Sequence, residues 1–182
     1  MSRWFRYVFG VLFCIGGMLY CRYAVRVAYA QIHYQRLKYR HPDLAFDDAH
    51  QASRDLHRMY PHNYHLSQWM AESAYYQHAN MELSEYWVRL GLRQNPHTLS
   101  LRWIETILVG IAEDNPEEAA RMWERYSDTV FWNRWVMAGR VYWLARADRI
   151  QDAANYLQIL QRVHGNHNWA AEALEIAQKA YD

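Results

Sequence analysis

A recurrence along the chain restricts its fold more than any other feature. Two proline breaks share their surroundings, Met59-Tyr60-Pro61-His62 and Gln94-Asn95-Pro96-His97, and stand 35 residues apart. Twelve residues before each proline lies a small residue, Ala49 and Ser84. The same step leads on to Ala119 and, one residue short, to Ala153, a period of 35, 35 and 34. Four residues after each small position come Ser53, Val88, Trp123 and Leu157; three further come Leu56, Gly91, Tyr126 and Leu160. Apart from Ser53 and Gly91 these are bulky and apolar, the i, i+4, i+7 stripe of a helix with one buried face. A fixed period of this length is the signature of stacked supersecondary units, each too small to bury its apolar face alone.

Composition agrees with a helical reading. Gly (seven) and Pro (four) are scarce in 182 residues, which argues against a many-turned β-sandwich. Hydrophobic residues make up 52% and aromatics 16%, enough for a core rich in rings. The net charge of +1 supplies no field for nucleic acid. Helix-start signals fall where the period requires them: Asn115-Pro116-Glu117-Glu118, Asp47-Asp48 and Asp152. Helices are expected at about 44–59, 64–78, 81–94, 98–113, 116–127, 131–147, 150–163 and 168–181, with Trp169 in the last, a capping helix.

The N-terminus differs from the rest. Tyr7 to Cys21 is a run of fifteen residues without a charge, bracketed by Arg6 and Arg22. With Trp4, Phe5 and the apolar residues after Arg22 it reaches the ~20 residues a membrane span needs. Trp4, Tyr7, Tyr20 and Tyr23 suit interfacial belts, and the flanking arginines can snorkel. Two readings compete with a retained anchor. A cleaved signal would use Ala28-Tyr29-Ala30, but Arg22 and Arg26 stand where charge is unusual. A lipoprotein signal would put a small residue before Cys21, and Tyr20 is there instead. Basic residues flank both ends, so the side on which the repeats lie stays open. Gly10, Cys14, Gly17 and Cys21 form one stripe of small side chains along the helix, a pattern that lets membrane helices approach closely. Beyond the apolar run, Arg22, Arg26, Arg36 and Arg40 share one side, either meeting anionic lipid or facing solvent. The division expected is an anchor with its extension over 1–40 and a repeat domain over 41–182. The cysteines, Cys14 and Cys21, both lie in the apolar stretch, so no disulfide framework or thiolate zinc site is present.

The periodic pattern resembles the tetratricopeptide repeat, a helix-turn-helix unit of ~34 residues. Counted from His65, Tyr75 takes the family's aromatic position, Ser84 the small one and Pro96 the terminal proline. Counted from Ser100 and Arg134, Ala119 with Trp123 and Ala153 with Leu157 match in turn. The chain departs from the pattern at the family's glycine, replaced by Glu72, Ile107 and Val141, and the later prolines are missing. The resemblance implies an all-α solenoid of antiparallel hairpins, no catalysis, no cofactor, and a concave groove that captures a protein partner. The positions that would line the groove are Trp69, Ser73 and Tyr76 in one unit and Leu101, Ile104, Leu108 and Ile111 in the next. Trp135, Tyr142 and Ala145 follow, then Trp169 in the cap. Such a row of rings either opens to a peptide or closes as core in a tight array.

Chemistry-bearing patterns are few. Asp47/Asp48 and Glu117/Glu118 read as helix-start acids rather than a catalytic dyad. His62/His65 and His164/His167 are each three apart and could share a transition metal, but no third ligand stands nearby in sequence. The expected function is a membrane-anchored interaction module, adaptor or accessory subunit of a membrane complex, with protein partners and membrane lipid. Two alternatives stand beside it: a structural subunit that docks through its membrane helix, and a histidine-based metal-binding protein.

Overall fold

The computed structural model describes residues 3–40 and 46–179, with side chains placed for 8–39, 46–175 and 178. The described residues are helical throughout, joined by short turns. Helix α1 spans Arg3–Arg40 and α2 Phe46–Met59. Then come α3 (Tyr64–Glu72), α4 (Met81–Gln94), α5 (Leu99–Ile107), α6 (Pro116–Thr129), α7 (Arg134–Arg146), α8 (Ile150–His164) and α9 (Asn168–Lys179). Helices α3 and α5 each run on into one π-helical turn, Ser73–Gln77 and Leu108–Ala112. The starts of α2, α4, α6 and α8 lie 35, 35 and 34 residues apart, and so do those of α3, α5, α7 and α9.

The turns explain this regularity. Each of the tight connections before α4, α6 and α8 contains one residue with a left-handed backbone: Ala79 (φ 49°), Asp114 (φ 51°) and Asp148 (φ 62°). Such a residue ends a helix and reverses the chain. Asn80 then caps α4 by accepting from the Leu83 amide, and Asn115 caps α6 by accepting from Glu118. Asn133 caps α7, taking the Trp135 and Val136 amides.

Two compact units are present, residues 1–66 and 67–182, the division falling within α3. In the first, α2 packs along α1, burying Ala30, Tyr34, Ala49 and Leu56. Tyr23 of α1 meets Tyr60 edge to face at 6.5 Å. The expected boundary at residue 40 lies beside 41–45, which are outside the described residues. The stretch Val8–Tyr39 is long and apolar enough to cross a membrane, and residues 8–26 are exposed on every side. Gly10, Cys14, Gly17 and Cys21 are exposed with it, as are Arg22, Arg26 and Arg36. The Arg40 side chain is outside the described residues.

The second unit is built on the sequence stripe. Its members Ser84, Val88, Gly91, Ala119, Trp123, Tyr126, Ala153, Leu157 and Leu160 are all buried. The Ser84 hydroxyl donates to the Ala71 carbonyl (3.1 Å), and the Trp123 indole N–H donates to the Val136 carbonyl (2.7 Å), so these two buried polar groups are satisfied. Each of these bonds ties one helix of a hairpin to its neighbour.

Candidate functional site

The aromatic residues of the second unit gather around Trp103, a half-buried residue of α5. Its ring lies edge-on to Trp123 at 5.5 Å, Tyr142 at 5.4 Å and Trp169 at 5.3 Å, and tilted to Trp143 at 6.0 Å. Tyr142 and Trp169 stack at 5.2 Å with only 14° between their planes. Trp123 and Trp143 are fully buried, whereas Trp103, Tyr142 and Trp169 keep part of their surface in solvent. The cluster is therefore core on one side and open on the other.

Around it stand more exposed rings. Tyr76 is 60% exposed and packs against Tyr75 at 4.8 Å. Burial of its phenol, then Tyr75 and Glu72, push its pKa up, while a hydrogen bond with Trp103 acts the other way. Tyr75 is likewise raised by burial and by Tyr142. Trp135 is 54% exposed, with the Arg134 guanidinium over its ring at 5.2 Å and His167 edge-on at 4.9 Å.

The expected groove residues thus fall into three kinds. Trp135 and Tyr76 are exposed; Trp69, Tyr142 and Trp169 are half-buried; Ser73, Ile104 and Leu108 are buried, as is Leu101. The Ser73 hydroxyl donates to Gln77 at 2.7 Å, within the π-helical turn. Trp103 is the residue that counting along the family's positions passed over. A signal for it existed: Leu99, Trp103 and Ile107 are four apart and share one face of α5, all packed into the same core.

A second constellation was not foreseen. Glu124 of α6 receives both terminal nitrogens of Arg149 at 3.0 Å and lies 3.6 Å from Arg140. Arg140 also reaches Asp128 at 2.8 Å and lies over Tyr156 at 4.4 Å, and Arg149 pairs with Asp152 at 2.8 Å. These bonds raise the Arg149 pKa, with Glu124 the main cause. The arrangement ties α6, α7 and α8 together.

Among the described residues no three His, Cys, Asp or Glu side chains stand close enough to hold a metal ion. His62 and His65 are exposed and packed on Tyr60 and Tyr64. His167 is buried, with both ring nitrogens lacking a hydrogen-bond partner, and its pKa is lowered by burial and by Arg134. No family model matches the chain, and no curated protein matches it.

Proposed function

We propose that the chain is a membrane-anchored protein-interaction module, an adaptor or accessory subunit, built of tetratricopeptide-like hairpins behind one spanning helix. The observation that carries the reading is the half-open row Tyr76, Trp103, Tyr142, Trp169 and Trp135. Rings held by a rigid core but open to solvent on one side are the anchors that interfaces favour. Their positions are set by packing, so little ordering cost remains when a partner binds. The repeat reading is supported by helix starts that recur at 35, 35 and 34 residues. The anchor reading is supported by apolar side chains exposed all round α1, which water does not solvate favourably and a bilayer does.

A second reading has its own support. Gly10 and Gly17 have nothing within 4 Å of an added side chain, so the small stripe is free to receive another membrane helix. Crosslinking in the native membrane, read by mass spectrometry, separates the two. Under the adaptor reading Trp135→Ala weakens capture of the crosslinked neighbour by ~2 kcal/mol or more, while the melting temperature holds. If that substitution leaves capture intact and Gly17→Leu abolishes it, the membrane helix is the docking element and the adaptor reading falls.

A further inference from the structure

One end of the second unit combines exposed rings with exposed arginines. Short antiparallel connections bring the last turns of α4, α6 and α8 together with the first turns of α5, α7 and α9. The Tyr126 hydroxyl, donating to the His97 carbonyl at 3.0 Å, and the Trp135–His167 contact show successive connections side by side. At this end Phe131 and Trp132 occupy the tip of the α6–α7 turn, each 62% exposed, their rings edge to face at 5.3 Å. Val163, near the end of α8, is equally exposed. Three exposed arginines lie at the same end, Arg93 in the last turn of α4, Arg134 at the start of α7 and Arg162 in the last turn of α8.

The charge is segregated along the helices. Acids favour helix N-termini through the dipole. The starts of α4, α6 and α8, at the opposite end, follow this with Glu82, Glu117, Glu118 and Asp152. The starts of α5, α7 and α9 carry none. Asp128, in the last turn of α6, is taken by Arg140. The N-termini of α5, α7 and α9 are offset here by the C-termini of α4, α6 and α8, so the positive potential at the end where Phe131 and Trp132 protrude comes from the arginines.

We infer that this end docks on the headgroup region of an anionic membrane, with Phe131 and Trp132 entering the interface and Arg93, Arg134 and Arg162 meeting lipid phosphates. Charge complementarity and shape choose the occupant. Tryptophan prefers the depth of the headgroups, and basic residues near a negative leaflet are held there. The two rings project from a turn tip, which suits a deformable interface; Trp103, Tyr142 and Trp169 of the row proposed for protein capture are instead half-buried in the aromatic cluster. The surface lies wholly in the second unit, so the inference stands apart from whether α1 spans.

The test uses the full chain with Cys14→Ala, Cys21→Ala and Trp132→Cys, labelled at the new thiol with a small fluorophore. It is placed in lipid nanodiscs of phosphatidylcholine, with or without phosphatidylglycerol. Iodide reports access from water, and a headgroup nitroxide lipid reports contact with the interface. In anionic discs the label is expected to be shielded from iodide and quenched by the lipid. A label at Gln151→Cys, at the opposite end, stays open to iodide. Arg134→Gln lowers the ratio of docked to free by about fivefold, the effect of one basic residue at such a surface. Phe131→Cys provides a second exposed labelling site and the same expectation. The inference is overturned if the label at 132 is as open as that at 151 in anionic discs. It is overturned equally if shielding arises only when a protein partner is added. Failure of the chain to associate with discs at all removes both this inference and the anchor, whereas association that depends on anionic lipid and Arg134 supports docking and removes the anchor alone.

Discussion

Gly139 of α7 faces the indole of Trp123 so closely that an added methyl group would overlap Cε2, Cζ2 and Nε1 of that ring. The Trp123 side chain cannot yield, because its N–H is bonded to the Val136 carbonyl and its ring is buried. Gly139→Ala should therefore cost roughly 1–3 kcal/mol, the range for overpacking a filled core, and lower the thermal midpoint without loss of helix content. His167 makes a different demand. Its neighbours are Trp135 and Trp169, and Arg134 is the charge that acts on it. Burial and Arg134 hold its pKa below the ordinary 6.5, so the unfolded chain takes up the proton first as pH falls. Its neutral form supports the fold fully above 6.5, and that support is lost as pH falls through the lowered folded value. His50 and His57 are lowered as well and add in the same direction. Melting curves from about pH 7 to about pH 5 should show the fall, and His167→Gln should make it shallower. An unchanged profile in that variant would remove His167 as a cause.

Among the elements, α6, α7 and α8 are joined by more than apolar contact. The carboxylate of Glu124 is 21% exposed, with Arg140 19% and Arg149 32% exposed around it, a partly dry setting. Removing its charge leaves Arg140 only Asp128 and Arg149 only Asp152 as carboxylate partners. Glu124→Gln should cost about 1–3 kcal/mol, less than a fully buried pair because solvent still reaches the site. Denaturant titration should show a lower midpoint at an unchanged slope, and a smaller difference in high salt. The π-helical turns of α3 and α5 belong to this scale too. Each adds a residue to one turn, so counting at a straight helical period drifts after Glu72 and after Ile107. On the expected groove row Leu101, Ile104 and Leu108 are all buried, and only Ile111, inside the second π-helical turn, is 47% exposed.

For the whole molecule the decisive property is the apolar surface of α1. Phe9, Phe13, Met18 and Leu19 are each more than 60% exposed in the isolated chain, a surface that a water-soluble protein rarely shows. Carbonate washing of membranes should leave the intact chain in the pellet, because it strips proteins held by charge and not those held by a span. Release of the full-length chain into the wash would show that Val8–Tyr39 does not cross.

The period, the helix boundaries and the buried stripe were legible in the linear order of residues, because each depends on local chemistry. Proline breaks, asparagine caps and a small residue every 34 or 35 positions act within one or two turns of chain. The stripe from Ser84 to Leu160 is buried where periodicity put it, since a helix places i, i+4 and i+7 on one face whatever it packs against. The uncharged run before Arg22 was readable for the same reason. Which rings open to solvent was not readable. That depends on how far each hairpin leans over the next, a distance set by side chains from separate helices such as Gly139 against Trp123. Trp103 became a hub only when α5, α7 and α9 brought Tyr142, Trp143 and Trp169 to it. The Glu124 cluster likewise joins residues up to 25 apart in sequence, and no local pattern pairs them. Local periodicity settles what forms a helix and which face is apolar; the contacts between helices decide which part of that face stays open to solvent.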